Sequence, residues 1–149
     1  MKNHKILGGD GTLDLLLVNS PLKDYGREQR INDFTLPTLG LGYIATVATK
    51  NGFSVGLLDG EALGIGIDEI ARIINETAPC WVGMNLLAPT YRNSQKILAQ
   101  IDLSIMVMLG GHQVKAMPAE ILADPTLPRV DALVVGEAET RIPLLLADT

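Results

Sequence analysis

The sequence is poor in the residues that most often carry metal and redox chemistry: one cysteine, Cys80, and two histidines, His4 and His112, in 149 residues. A single cysteine excludes an internal disulfide and any thiolate cluster built by this chain alone, and its place in an apolar run predicts a buried, inert thiol. The two histidines lack the paired spacing of a zinc site. No run of Lys or Arg is present to track a phosphate backbone, and 12 basic against 17 acidic residues leave a formal charge of -5. Nucleic acid is therefore excluded as a partner. No apolar run approaches the roughly 20 residues of a membrane span. The N-terminus MKNHKILGGDG has neither the apolar core nor the cleavage site of a signal peptide, so a soluble, cytoplasmic protein is expected.

What is present is a globular composition, 47% hydrophobic and 19% charged, in a length suited to one domain. Residues 1–12 read as a flexible tail and 13–149 as the folded domain. Five short apolar runs recur, each closed by turn residues and followed by helical spacing. LDLLLVNSP, Leu13 to Pro21, is continuous enough for a strand covered on both faces. After a polar loop, Pro37 opens a helix ended by Asn51-Gly52, with Leu39, Tyr43, Val47 and Ile44 sharing a face. Ser54 to Gly60 forms the second strand, and Ile67 to Thr77 a helix with Asp68 as N-cap and Ile70, Ile73 and Ile74 as its apolar stripe. Cys80 to Leu87 is the third strand and Thr90 to Ile101 the third helix. SIMVMLGG forms the fourth strand, followed by a helix from Pro118 to Ala123. Val130 to Glu139 is the fifth strand, and TRIPLLLADT a last helix that looks truncated.

Strands alternating with helices imply a doubly wound α/β sandwich with a parallel sheet and right-handed crossovers; five strands favour the flavodoxin-like order 2-1-3-4-5. Ligands of such sheets bind beyond the carboxyl ends of the strands, where the strand order reverses. That rule selects Asn19-Ser20-Pro21, Asn85 to Pro89, Gly110-Gly111-His112 and Gly136-Glu137-Ala138-Glu139. No GxxxxGK[ST] occurs, and GLGYIA lies within a helix, so nucleoside triphosphate chemistry is disfavoured. A phosphoacceptor domain of this topology needs aspartates where Asn19 and Asn85 stand. No GxSxG elbow is present. His112 divides evenly between a loop histidine bonded to a carbonyl and a ligand contact. Glu137 and Glu139 suit helix capping or hydroxyl binding better than acid/base catalysis. Asp59 is expected to terminate its strand, Trp81 to lie in the core and Tyr91 at the surface.

VNSP after the first strand, PTLGLGYIATVATKNGFSVGLLD, GGHQVKAMPAEIL and DALVVGEAET, taken in this order and spacing from Leu13 to about Arg141, resemble the N-terminal cobalamin-binding domain of cobalamin-dependent radical SAM enzymes. The resemblance implies a corrin ring across the carboxyl ends of the strands and a dimethylbenzimidazole tail running into the sheet edge, detached from cobalt. Gly110 and Gly111 would line the tail, with Gly136, Glu137, Glu139 and His112 bordering its channel. Asn19, Ser20, Pro21, Asn85 and Leu86 would contact corrin amides or the nucleotide loop. The cobalt-ligating histidine of DxHxxG-type domains is missing from NSPLKDYGR, so the cofactor is expected without a histidine ligand, with Leu87 beneath the metal and Ala88 and Thr90 beside it. Gln113 and Lys115 stand where the family pattern has histidine and threonine. No CxxxCxxC exists to hold a [4Fe-4S] cluster, so that cluster and S-adenosylmethionine would belong to a further domain or partner chain. A methyltransferase or ring-forming enzyme is the implied parent. A free-standing cobalamin carrier or sensor, and a flavodoxin-like domain for another cofactor, are the alternatives.

Overall fold

The computed structural model describes residues 3–31, 38–127 and 129–149. Its centre is a five-stranded parallel sheet in the order β2-β1-β3-β4-β5. The strands are β1 (Leu15–Asn19), β2 (Val55–Asp59), β3 (Trp81–Asn85), β4 (Met106–Gly110) and β5 (Ala132–Leu133). In chain order the helices are α1 (Leu39–Lys50), α2 (Gly60–Leu63), α3 (Ile67–Thr77), α4 (Tyr91–Leu98), α5 (His112–Ala116), α6 (Pro118–Leu122) and α7 (Ala138–Ala147). The register places Leu15 beside both Val55 and Trp81, and Asn85 beside Gly110, so the carboxyl ends of β1 to β4 share one edge.

Alternation of side chains along each strand separates two cores. Leu16, Val18, Val82, Met84, Val107 and Leu109 face α3 to α6 and pack with Ile70, Ile73, Ile74 and Ile97. Leu15, Leu17, Trp81 and Met108 face α1 and α7 and pack with Leu41, Ala48, Ile142 and Leu146. Both faces of the sheet are thus covered, which is why its strands are apolar throughout.

Several local expectations are corrected. Residues from Asn3 onward do not form a tail: Ile6 is buried, and Leu7 exchanges both backbone hydrogen bonds with Leu57 of β2, at 2.9 and 2.8 Å. The buried Ile6 side chain and the backbone bonds of Leu7, whose own side chain is exposed, hold this segment down. The expected start of α1 at Pro37 falls outside the described residues. The buried face of α1 is Leu41 and Ala48, with Ile44 and Ala45 packed beside them, whereas Leu39 and Tyr43 are exposed. Apolar residues surround this helix, so periodicity alone does not select the buried side. Cys80 is exposed, because β3 begins only at Trp81.

β5 pairs over two residues rather than ten. The Asp131 carboxylate accepts the Val107 N–H at 2.8 Å at one end, and Gly136, at φ 88°, turns the chain away at the other. His112 opens the short helix α5 instead of lying in a loop, and α6 follows it after Met117. α4 is shorter than expected and is preceded by a 3-10 turn at Ala88–Thr90. α3 spans the expected residues, but Gly66 occupies its N-cap, while Asp24 reaches across from the loop after β1 to accept the Ile67 N–H at 3.0 Å.

Candidate functional site

A cleft opens at the carboxyl edge between the sheet and the α1/α7 layer. Its floor and walls are Leu17, Gly83 and Met108 from the strands, Leu41 and Ile44 from α1, and Ala138 and Ile142 from α7. The enclosed space is small, about 50 Å³. Gly83 lies on its floor. A Cβ at this position would lie 3.1 Å from Leu17 Cδ2 and 3.3 Å from both Leu15 Cδ1 and Met108 Cγ, so the side chains packed on this face already favour glycine here. A glycine in the middle of a central strand gives up packing and weakens the strand, and commonly marks a close approach by a ligand or another backbone. Gly83 is not among the expected site residues, although an interior glycine in CWVGMNLL is the signal that identifies it.

Asn85, two residues further along the same face of β3, also lines the cleft. Its Oδ1 is buried and has no hydrogen-bond partner among the described residues. Leaving such an acceptor unpaired costs about 1–3 kcal/mol. A donor supplied by a ligand would remove that penalty.

The two glycines ending β4 have different causes. At Gly111, φ is 96° and a Cβ would lie 3.0 Å from the Leu86 carbonyl oxygen, so the protein's own backbone requires glycine. At Gly110 the nearest atom to a Cβ would be the Val134 carbonyl oxygen at 3.4 Å, an ordinary contact. Nothing in the protein demands glycine there, yet the residue faces the cleft.

The remaining expected contacts divide. Asn19 Nδ2 donates to Asp59 Oδ1 at 2.9 Å, and the same oxygen accepts the Ala62 N–H, so Asp59 ends β2 by capping α2. Ser20 is turned away from the cleft: its hydroxyl lies 2.7 Å from that of Ser94, both buried beneath α4. Leu86 is also withdrawn. Its side chain is in the α3–α6 core, its N–H donates to Gly110 O at 2.7 Å, and its carbonyl accepts the Gln113 N–H at 3.0 Å. The Ser20 hydroxyl and both Leu86 backbone groups are thus engaged within the protein. Pro21 is buried, and its carbonyl accepts from Asn93 Nδ2 at 2.9 Å. Leu87 is half-buried and Ala88 exposed on the rim, and Thr90 is buried. His112, Gly136 and Glu137 are exposed at the same edge, and Glu139 is half-buried in the first turn of α7.

The loop after β1 is fastened outside the cleft. Glu61 of α2 accepts the Leu22 N–H at 2.8 Å and the Tyr25 hydroxyl at 2.8 Å, and pairs with Arg30 at 3.1 Å. Burial, followed by the bond to Glu61, raises the Tyr25 pKa. The stretch NSPLKDYGR is thus held against α2 and α3. Among the described residues no cluster of His, Cys, Asp and Glu side chains is placed to hold a metal ion.

A family model described as the B12 binding domain matches residues 33–146. The chain belongs to that family. This B12-binding domain is 30% identical over 122 residues to cytidylyl-2-hydroxyethylphosphonate methyltransferase of Streptomyces wedmorensis, covering 68% of this chain and 22% of that protein. Among solved structures it is similar to the cobalamin-dependent S-adenosylmethionine radical enzyme OxsB with aqua-cobalamin bound, with a TM-score of 0.68 and 17% identity over 92% of this chain and 18% of that one. It is also similar to the radical S-adenosylmethionine methyltransferase TsrM of Kitasatospora setae, with a TM-score of 0.64 and 19% identity over 90% of this chain and 25% of the other. The domain spans about a fifth to a quarter of the length of these relatives. No described helix is long and apolar enough to cross a membrane.

Proposed function

We propose that this B12-binding domain holds cobalamin in a base-off state, with no histidine of this chain on cobalt, on behalf of a radical SAM methyltransferase or ring-forming enzyme. The observation that carries the reading is the Gly83 cleft with the unpaired Asn85 Oδ1 at its side. A flat, apolar benzimidazole matches the apolar walls Leu17, Ile44, Met108 and Ile142, and α1 and α7 would part to admit it, since the 50 Å³ now enclosed is smaller than such a ring. An amide or ribose hydroxyl next to it would supply the donor that Asn85 lacks. Gly110 keeps the upper wall clear. Asn19, Leu87, Ala88, Gly136, Glu137 and Glu139 form the rim on which the corrin would rest, with apolar Leu87 beneath the metal.

When bound, cobalamin supplies methyl-transfer chemistry. The chain's own residues do the holding: they exclude water from the tail, orient corrin amides and offer the metal no nitrogen donor from the loop after β1. The iron-sulfur cluster and S-adenosylmethionine are assigned to a further domain or partner chain, because a single cysteine cannot replace three. The relatives support this assignment, since the domain corresponds to only a part of each. The cytoplasm is the proposed compartment.

Reconstitution with hydroxocobalamin, desalting and reduction, followed by the absorption and EPR spectra of the retained cobalt, tests the reading. The expected result is retained corrinoid whose Co(II) signal shows no nitrogen splitting. Absence of retained corrinoid overturns cobalamin binding. Nitrogen splitting overturns the base-off, histidine-free state, and its loss in His112→Ala would place that histidine on cobalt.

A further inference from the structure

The cleft accounts for the apolar end of cobalamin but not for the one anionic group of its tail, the phosphodiester that links the corrin arm to the ribose. We infer that Arg141 binds this phosphodiester and makes the domain select complete cobalamin over corrinoids that lack the nucleotide tail. This inference rests on the reading that the tail enters the Gly83 cleft.

The walls of the cleft carry no charged side chain. An unpaired anion is strongly disfavoured in such surroundings, so a phosphodiester attached to a seated tail has to remain at the mouth. Val134 and Ala138, on either side of the turn between β5 and α7, are among the walls of the cleft. Arg141 lies one turn into α7, and its side chain runs back over Gly136. A Cβ on Gly136 would be 3.8 Å from Arg141 Nη2 and 3.9 Å from Nε. The guanidinium therefore lies beside a glycine of the turn that joins the wall residues Val134 and Ala138.

Arg141 also differs from the arginines that stabilise the fold. Arg27, Arg30, Arg72 and Arg129 each lie within ion-pair distance of a carboxylate. Among the described residues Arg141 has no such partner, although Glu137 and Glu139 are close in sequence. A guanidinium matches the geometry of two phosphate oxygens and binds them through paired, charge-assisted hydrogen bonds. The two neighbouring carboxylates would repel a phosphodiester on their own, so a cation at this point is needed for it to settle there. Arg92, in the first turn of α4, is likewise exposed and without an ion pair among the described residues, and Lys115, exposed on α5, serves as a control.

The decisive measurement compares the affinities of hydroxocobalamin and cobinamide, which has the corrin but neither phosphodiester nor benzimidazole, for the wild-type chain and for Arg141→Ala, Arg141→Lys and Lys115→Ala. Arg141→Ala is expected to weaken cobalamin binding by about tenfold, in the range of one charge-assisted hydrogen-bonded contact, and to change cobinamide binding by less than about twofold. Arg141→Lys should recover part of the loss, and added salt should weaken cobalamin binding to the wild type more than to Arg141→Ala. Equal losses for both corrinoids, no loss for cobalamin, or a cobalamin-selective loss in Lys115→Ala instead would overturn the assignment. Failure of the wild-type chain to retain cobalamin would overturn the functional reading itself, and the role of Arg141 with it. Wild-type protein that retains cobalamin no better than cobinamide would leave cobalamin binding intact while removing the tail contact.

Discussion

The two faces of β3 show how this domain divides its work. Val82, Met84 and Leu86 project into the α3–α6 core, where each is essentially inaccessible to water. Trp81, Gly83 and Asn85 project toward α1 and α7 and decrease from a large apolar side chain, through none, to a polar one with an unpaired oxygen. One face is filled to stabilise the sheet, and the other is progressively emptied toward the carboxyl edge. A single strand thus contributes both to the stability of the fold and to the shape of the cleft.

Substitutions can separate these roles. The largest effect is expected on the filled face: Ile97→Ala, at a side chain with no exposed surface, should destabilise the domain by about 2–5 kcal/mol in urea unfolding. The affinity of the fraction that remains folded should be nearly unchanged. Gly83→Val on the opposite face should reduce cobalamin affinity by at least about tenfold, or 1.4 kcal/mol, while its overpacking against Leu15, Leu17 and Met108 costs about 1–3 kcal/mol of stability, less than Ile97→Ala. Equal effects of the two substitutions on stability and on affinity would refute the division.

The smallest effect is expected on the closed face near its surface, where Tyr91 donates to Asp124 Oδ2 at 2.7 Å. Bonds from Thr126 and then from Tyr91 lower the Asp124 pKa to about 2. Burial and the Asp124 bond raise that of Tyr91 to about 12. The folded carboxylate has the lower pKa, so its contribution is full above about pH 4, the unfolded value, and is lost as the pH falls toward 2. The folded tyrosine has the higher pKa, so its contribution is full below about pH 10 and is lost as the pH rises toward 12. Tyr91→Phe should cost about 0.5–1.5 kcal/mol near neutrality, remove the Tyr91 share of the alkaline loss while that of Tyr25 remains, and leave a smaller acid loss, without altering cobalamin affinity.

The βα alternation, the parallel sheet and the strand order were legible in the sequence because each follows from patterns a few residues long. The cleft opens at the carboxyl edge, the place that fold class alone selects for a ligand. Features that depend on partners distant in the chain were not legible. Ser20 reads as a polar rim residue until Ser94 is seen beneath it, and Asp24 reads as a loop acid until it caps α3. Gly111 suggested room for a ligand, whereas its glycine is required by the Leu86 backbone. Gly83 was hidden because an interior glycine gains meaning only when the side chains around it, Leu17 and Met108, are known. Tyr91 was expected at the surface and is half-buried, because Asp124 lies in a turn more than thirty residues away.

The N-terminal segment has a consequence for the behaviour of the protein in concentrated solution. A parallel sheet ends in two border strands whose free amides and carbonyls can template pairing with another molecule. At one border, Leu7 takes both backbone groups of Leu57. At the other, β5 is two residues long, too short to act as a template. A chain with so much aliphatic strand sequence is in this way denied the edge-to-edge association that leads to fibrils.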